Sequence, residues 1–221
     1  MNSFTSVNSI FTNAQSLFPL DYDSSLIIYY PFNGNLLNYA TGIGVSDSTP
    51  TNSVQLSSDK SVNGKTSLFN NNSGYLAINK SSYPTNTLGY TLSFWIYEAS
   101  NITNGGIFAF GDGAGNVMYA YINGSFQIVY TNTSSYIVSS TISTNTWYHV
   151  AINANPTNVK IYLNGVINVN QTTTNRFPTT ISSSGNYLLN TPCIAYMYNF
   201  RLYNRSLSAT EIMQLYNYRK P

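Results

Sequence analysis

The chain has 221 residues, a net charge of +2 and only 7% charged residues, yet 43% of it is hydrophobic. That length suits one large β-sandwich domain with a sizeable core. The hydrophobic content argues against disorder, and nine scattered cations form no basic stripe for nucleic acid.

Residues 1–24 are polar, show no clear alternation, and end in "FPLDYDSS". They read as an arm or docking segment, one that orders against a partner. No basic region precedes a long apolar run here, so no secretory signal is expected, and no stretch of 18 apolar residues predicts a membrane span. A domain is expected over residues 25–221.

From Leu26 onward strand signals dominate. "TLSFWIY" places Leu92, Phe94 and Ile96 opposite Ser93, Trp95 and Tyr97. "WYHVAINA" sets Tyr148, Val150 and Ile152 against Trp147, His149, Ala151 and Asn153, and "NVKIYLNG" alternates in the same way. Period two with aromatic and β-branched residues predicts half-buried strands. Their separators are turn formers: "NPTN" at 155–158, and Asn-Gly at 123–124 and 164–165, the strongest short hairpin signal. Many short strands with such turns predict an antiparallel sandwich or barrel.

"FAFGDGAGN" (Phe108 to Asn116) has three glycines and an aspartate within five residues. A phosphate loop needs a helix start behind it, but "NVMYAYING" is a strand. An EF-hand loop needs several carboxylates, and only Asp112 is present. A hairpin turn fits both flanks, and Asp112 with Asn116 is the place where a cation or a sugar hydroxyl would bind.

One helix is marked near the end. In "LSATEIMQLYNY", Ser208 and Glu211 form a capping box, and Leu207 and Ile212 a hydrophobic staple. Ile212, Leu215 and Tyr216 make one apolar stripe, which should pack on the sandwich.

The order of these pieces resembles the laminin G-like jelly rolls of the concanavalin A-like lectin/glucanase superfamily. The likeness is carried by "YYPFNGNLLNYATG", "GKTSLFNNNSGYLAI", "YTLSFWIY", "GIFAFGDGAGN", "NTWYHVAINANPTNVKIYLNGVIN" and "IAYMYNFRLYNRSLSATEIMQLY". The resemblance implies an all-β, antiparallel two-sheet jelly-roll sandwich with a short C-terminal helix. It also implies ligands or calcium on the concave face or rim. Two acidic positions common in the family are Asn33 and, in "MYNFRLY", Tyr198 and Asn199 here. An amide offers one neutral oxygen, so calcium binding should be weak and no cofactor is expected.

Catalysis is poorly provided for. The superfamily's hydrolases carry an E-x-D-x-x-E strand, and hydrolysis needs two facing carboxylates. The chain has seven acids, of which only Glu98 and Glu211 are glutamates, and Glu211 is committed to its cap. His149, the one histidine, has no G-x-S-x-G partner motif and reads as part of a strand. Cys193, the one cysteine, reads as a small buried apolar residue, and Trp95 and Trp147 as packed. Seven N-x-[ST] sequons follow from the Asn, Ser and Thr content without implying glycosylation.

Tyr196, Tyr198 and Asn199 offer aromatic faces and an amide, suited to neutral glycans or to a protein interface. The expected function is therefore a non-enzymatic structural or interaction protein, part of an assembly such as a virion or particle surface, with protein partners reached through the arm. The alternative is a lectin-like module that binds neutral glycans.

Overall fold

The computed structural model describes residues 18–40, 49–52, 54–62, 64–78, 88–100, 103–111, 117–130, 135–172, 181–182, 185–190 and 192–218. Among these residues fifteen strands and one helix follow a short 3-10 turn at Pro19–Tyr22. The strands are β1 (Leu26–Tyr30), β2 (Thr49–Asn52), β3 (Gln55–Val62), β4 (Lys65–Asn71), β5 (Gly74–Ala77), β6 (Tyr90–Glu98), β7 (Gly105–Gly111) and β8 (Val117–Ile122). There follow β9 (Ser125–Tyr130), β10 (Ser135–Thr141), β11 (Trp147–Asn155), β12 (Asn158–Leu163), β13 (Val166–Thr172), β14 (Tyr187–Asn190), β15 (Ile194–Tyr203) and helix α1 (Ala209–Asn217).

They form two antiparallel sheets. The first runs β13-β12-β11-β6-β15-β4-β3, with β1 also on β15; the second runs β10-β9-β8-β7-β14-β5-β2. This is the expected jelly-roll sandwich with its C-terminal helix. Its main core lies between the sheets, where Leu92, Phe94 and Ile96 of β6 meet Phe108, Phe110 and Phe126 of the second sheet. The Phe94 ring lies 5.9–6.1 Å from three others, Phe108 and Phe126 across the sandwich and Phe200 of β15, within the range where ring pairs add to burial.

The expected half-burial of the strands fails at the centre of the first sheet. Every residue of β6 is buried, including Ser93, Trp95 and Tyr97 of its outer face. The reason is a third layer. Helix α1 lays Ile212 and Leu215 on that face, with Leu20, Tyr29, Tyr162, Tyr203 and Leu207 around them. Each of the two helix side chains stabilises by about 1.5–3 kcal/mol on burial. The capping box is complete, with Ser208 Oγ accepting from the Glu211 amide and Glu211 Oε2 accepting from the Ser208 amide at 2.7 Å.

The last residues of the segment expected as an arm join this layer. Leu20 is buried, Phe18 stacks on Tyr218 at 3.8 Å, and Asp21 pairs with Arg201 of β15. Residues 18–24 are thus packed on the sandwich; the rest of the arm, 1–17, lies outside the described residues.

The two Asn-Gly turns differ. Asn164 and Gly165 both take positive φ (52° and 80°), the pairing a two-residue hairpin needs. At the other, Ile122 pairs with Phe126, so residues 123–125 make a three-residue turn and only Gly124 is left-handed (φ 67°).

Candidate ligand-binding face

The outer face of the second sheet is built differently from that of the first. Along β8 the burial alternates strictly: Met118, Ala120 and Ile122 enter the core, while Tyr119 and Tyr121 face outward and are half-buried. On β14 and β5, Tyr187 and Tyr75 face the same way, and Tyr75 is exposed.

Between them runs β7, which gives that face only small residues. Ala109 pairs with Tyr119 on one side and Tyr187 on the other, and Tyr187 pairs in turn with Ala77. Gly106 pairs with Tyr121 and Asn190. Large and small residues thus alternate across the sheet. Tyr119 and Tyr187, two strands apart, stand about 10 Å from each other by ordinary strand spacing, over a floor of Ala109. A methyl group added at Gly106 would lie 3.1 Å from the Asn190 carbonyl oxygen, so the glycine keeps the floor low.

Two ring pairs wall this trough. Tyr119 and Tyr121 stack at 6.1 Å, and Tyr75 and Tyr187 meet at 6.0 Å. The second pair borders a depression of about 500 Å³, lined also by Ala77, Gly185, Asn186 and Asn190. Asn186 is fixed beneath it, its Oδ1 accepting from the Gly111 amide and its Nδ2 donating to the Ser182 carbonyl.

None of the seven strands of this sheet contains Asp, Glu, Lys or Arg. The strands of this face therefore offer ring surfaces and amides and no charged side chain. It suits a neutral, polyhydroxylated ligand.

Of the residues singled out in the sequence, Tyr196, Tyr198 and Asn199 lie on β15 of the first sheet. Asp112 and Asn116 lie outside the described residues; their flanks, Gly111 and Val117, are paired across β7 and β8, as a hairpin requires. Tyr196, Tyr198 and Asn199 do not form an exposed patch. Tyr196 stacks on Phe69 at 4.4 Å and is 6% exposed. Tyr198 is wholly buried beside Trp95. Asn199 is buried at a bulge in β15, with φ 53°. Strand β15 is central in the first sheet, and the helix layer covers this part of it. The outward tyrosines 75, 119, 121 and 187 were missed, although "VMYAYI" carries the alternation that exposes two of them.

The remaining reactive groups are structural in their surroundings. His149 is buried, its Nε2 2.9 Å from Ser93 Oγ. Burial, with Arg201 nearby, holds its ring to a pKa of about 3, so it is neutral at physiological pH. Burial and the neighbouring Glu98 push the Cys193 thiol up to about 12. Glu98 itself is buried on β6, in the other sheet. Among the described residues no three His, Cys, Asp or Glu side chains converge as a metal site, and no helix is long and apolar enough to cross a membrane.

A family model described as the concanavalin A-like lectin/glucanases superfamily matches residues 70–213. No curated protein matches the chain. Among solved structures, domain 4 of AbnA, an extracellular GH43 arabinanase from Geobacillus stearothermophilus in complex with arabinotriose, shares 18% identity at TM-score 0.70, covering 86% of this chain and 98% of that one. The binding domain of botulinum neurotoxin DC, in complex with rat synaptotagmin II, shares 18% at TM-score 0.68, covering 89% of this chain and 52% of that one. The serotype D ligand-binding domain, in complex with N-acetylneuraminic acid, shares 16% at TM-score 0.72, covering 90% and 52%. The chain thus spans about half the length of the toxin chains. At such identities the likeness is one of fold.

Proposed function

The chain belongs to the concanavalin A-like lectin/glucanases superfamily, and from that premise we propose that it is a non-catalytic binding module for neutral carbohydrate. The ligand is held on the outer face of the second sheet. The observation that carries this reading is the charge-free sheet with tyrosines 119, 121 and 187 turned outward around Ala109 and Gly106. Phenol rings stack on the apolar faces of sugars, and Asn190 and the tyrosine hydroxyls supply hydrogen bonds. The superfamily also contains hydrolases, but the strands of this face carry neither Asp nor Glu to supply the two carboxylates of hydrolysis.

The structural neighbours support the reading by analogy, since one arabinanase domain was solved with arabinotriose and one toxin domain with a sugar acid. A role on a virion or particle surface rests on composition, and the fold gives it no added support. Calcium, if it takes part, would do so at Asp112.

Calorimetric titration with linear neutral oligosaccharides tests the proposal, run with calcium and with chelator. Binding that weakens about tenfold in Tyr119→Ala and in Tyr187→Ala is expected. A glycan array with no ligand, or binding untouched by both substitutions, would overturn it.

A further inference from the structure

A second pocket lies away from the tyrosine sheet, where the 3-10 turn docks beside β1. It holds about 350 Å³ and is lined by Asp21, Tyr22, Tyr29, Pro31, Asn33, Tyr39 and Lys65. None of these residues belongs to the second sheet. The volume falls within the range of small-ligand sites.

The pocket is held in place from beneath. Arg201, 2% exposed, donates from Nε (2.9 Å) and Nη2 (2.7 Å) to the same oxygen of Asp21, Oδ1. Its guanidinium lies 4.1 Å from the Tyr29 ring centroid. Asp21 Oδ2 makes no hydrogen bond among the described residues and keeps its acceptor capacity. The carboxylate is thus positioned before any ligand arrives, which lowers the cost of binding. Tyr39 meets Tyr29 edge-on at 6.5 Å and accepts from Asn35 Nδ2 at 2.9 Å, so its ring is also fixed. Tyr22 and Tyr39 are 54% and 48% exposed, and they offer ring surface beside the acceptor.

We propose that this pocket binds a single sugar unit. A pair of its hydroxyls donates to Asp21 Oδ2, Asn33 hydrogen-bonds a further hydroxyl, and the sugar's apolar face rests on Tyr22 or Tyr39. Asp21 and Arg201 cancel in charge, which suits a neutral sugar. The proposal does not rest on the sheet reading, and the two fail separately.

Saturation-transfer NMR on the full chain tests it, with D-galactose, D-glucose, L-arabinose and D-galacturonate as probes. In a Tyr119→Ala/Tyr187→Ala background, which silences the tyrosine sheet, transfer to at least one sugar is expected, reduced about fivefold or more when Tyr22→Ala/Tyr39→Ala is added. Both added sites are largely exposed, so the combined variant should fold, and a thermal melt confirms it. Asp21→Asn should weaken transfer as well. No transfer to any of the four sugars in that background, or transfer that survives there when Tyr22→Ala/Tyr39→Ala is added, would overturn it.

Discussion

Arg201 and Asp21 are 180 positions apart and meet at 2.7 Å, binding the first described segment to the central strand β15. The guanidinium is almost wholly buried between Asp21 and the Tyr29 ring. A buried charge that loses its partner is costly, even where the intact pair adds little. Asp21→Ala should therefore lower stability in urea by about 3–5 kcal/mol. Asp21→Ala/Arg201→Met should recover part of that loss, because it removes the stranded charge. A double variant as unstable as the single would show that packing of the segment, and not the charge, dominates.

His149 predicts a pH dependence whose sign is fixed by its burial. Its folded value of about 3 lies below the ordinary 6.5. As pH falls, the unfolded chain takes up the proton first. Stability is thus fully present above pH 6.5 and is lost between 6.5 and 3, with a limiting slope of about 1.4 kcal/mol per pH unit. Ordinary carboxylate values lie below that window, and this is the chain's one histidine. Urea melts over that window read His149 nearly alone. His149→Gln should flatten the slope while lowering stability at pH 7.

Gly165 joins the β12–β13 hairpin to the helix. Its φ is +80°, and an added Cβ would lie 2.9 Å from Met213 Sδ and 3.1 Å from Tyr216 Cβ. Gly165→Ala should cost about 1–3 kcal/mol through backbone strain and crowding together. Met213 can swing aside, whereas the Tyr216 Cβ cannot. Adding Met213→Ala should thus restore little, and a full recovery in thermal melts would refute the strained-turn account.

Local rules placed the Ser208–Glu211 cap, the Asn164–Gly165 turn and the alternation of β6, because each depends on neighbours within a few residues. The burial of the outer face of β6 was not legible, since it depends on α1 and on Leu20, far away in the chain. The same fact hid the site. "YMYNF" reads as an aromatic patch until the helix is laid on it, and Tyr198 then becomes core. Conversely, Tyr119, Tyr121 and Tyr187 matter only because β7 places Ala109 and Gly106 between them, a pairing that registers across strands and not along them. The absence of charge from all seven strands of that sheet was readable only once the strands were sorted into sheets.

That absence also bears on catalysis. Hydrolysis of a glycosidic bond places one carboxyl group to protonate the leaving oxygen and another to attack or to activate water. The tyrosine face has neither within its strands, and Glu98 is buried in the opposite sheet. A bound oligosaccharide is therefore expected to be recovered intact after prolonged incubation, with no rise in reducing ends above the buffer control. Tyr121→Phe should bind that oligosaccharide nearly as well as the natural chain, since the ring face is retained, whereas Tyr121→Ala should bind about tenfold more weakly. Glu98→Gln should change neither affinity nor product. Measurable turnover abolished by Glu98→Gln would overturn the non-catalytic reading, because it would place the chemistry on the first sheet; an equal loss of binding in Tyr121→Phe and Tyr121→Ala would instead show that the hydroxyl, and not the ring, holds the sugar.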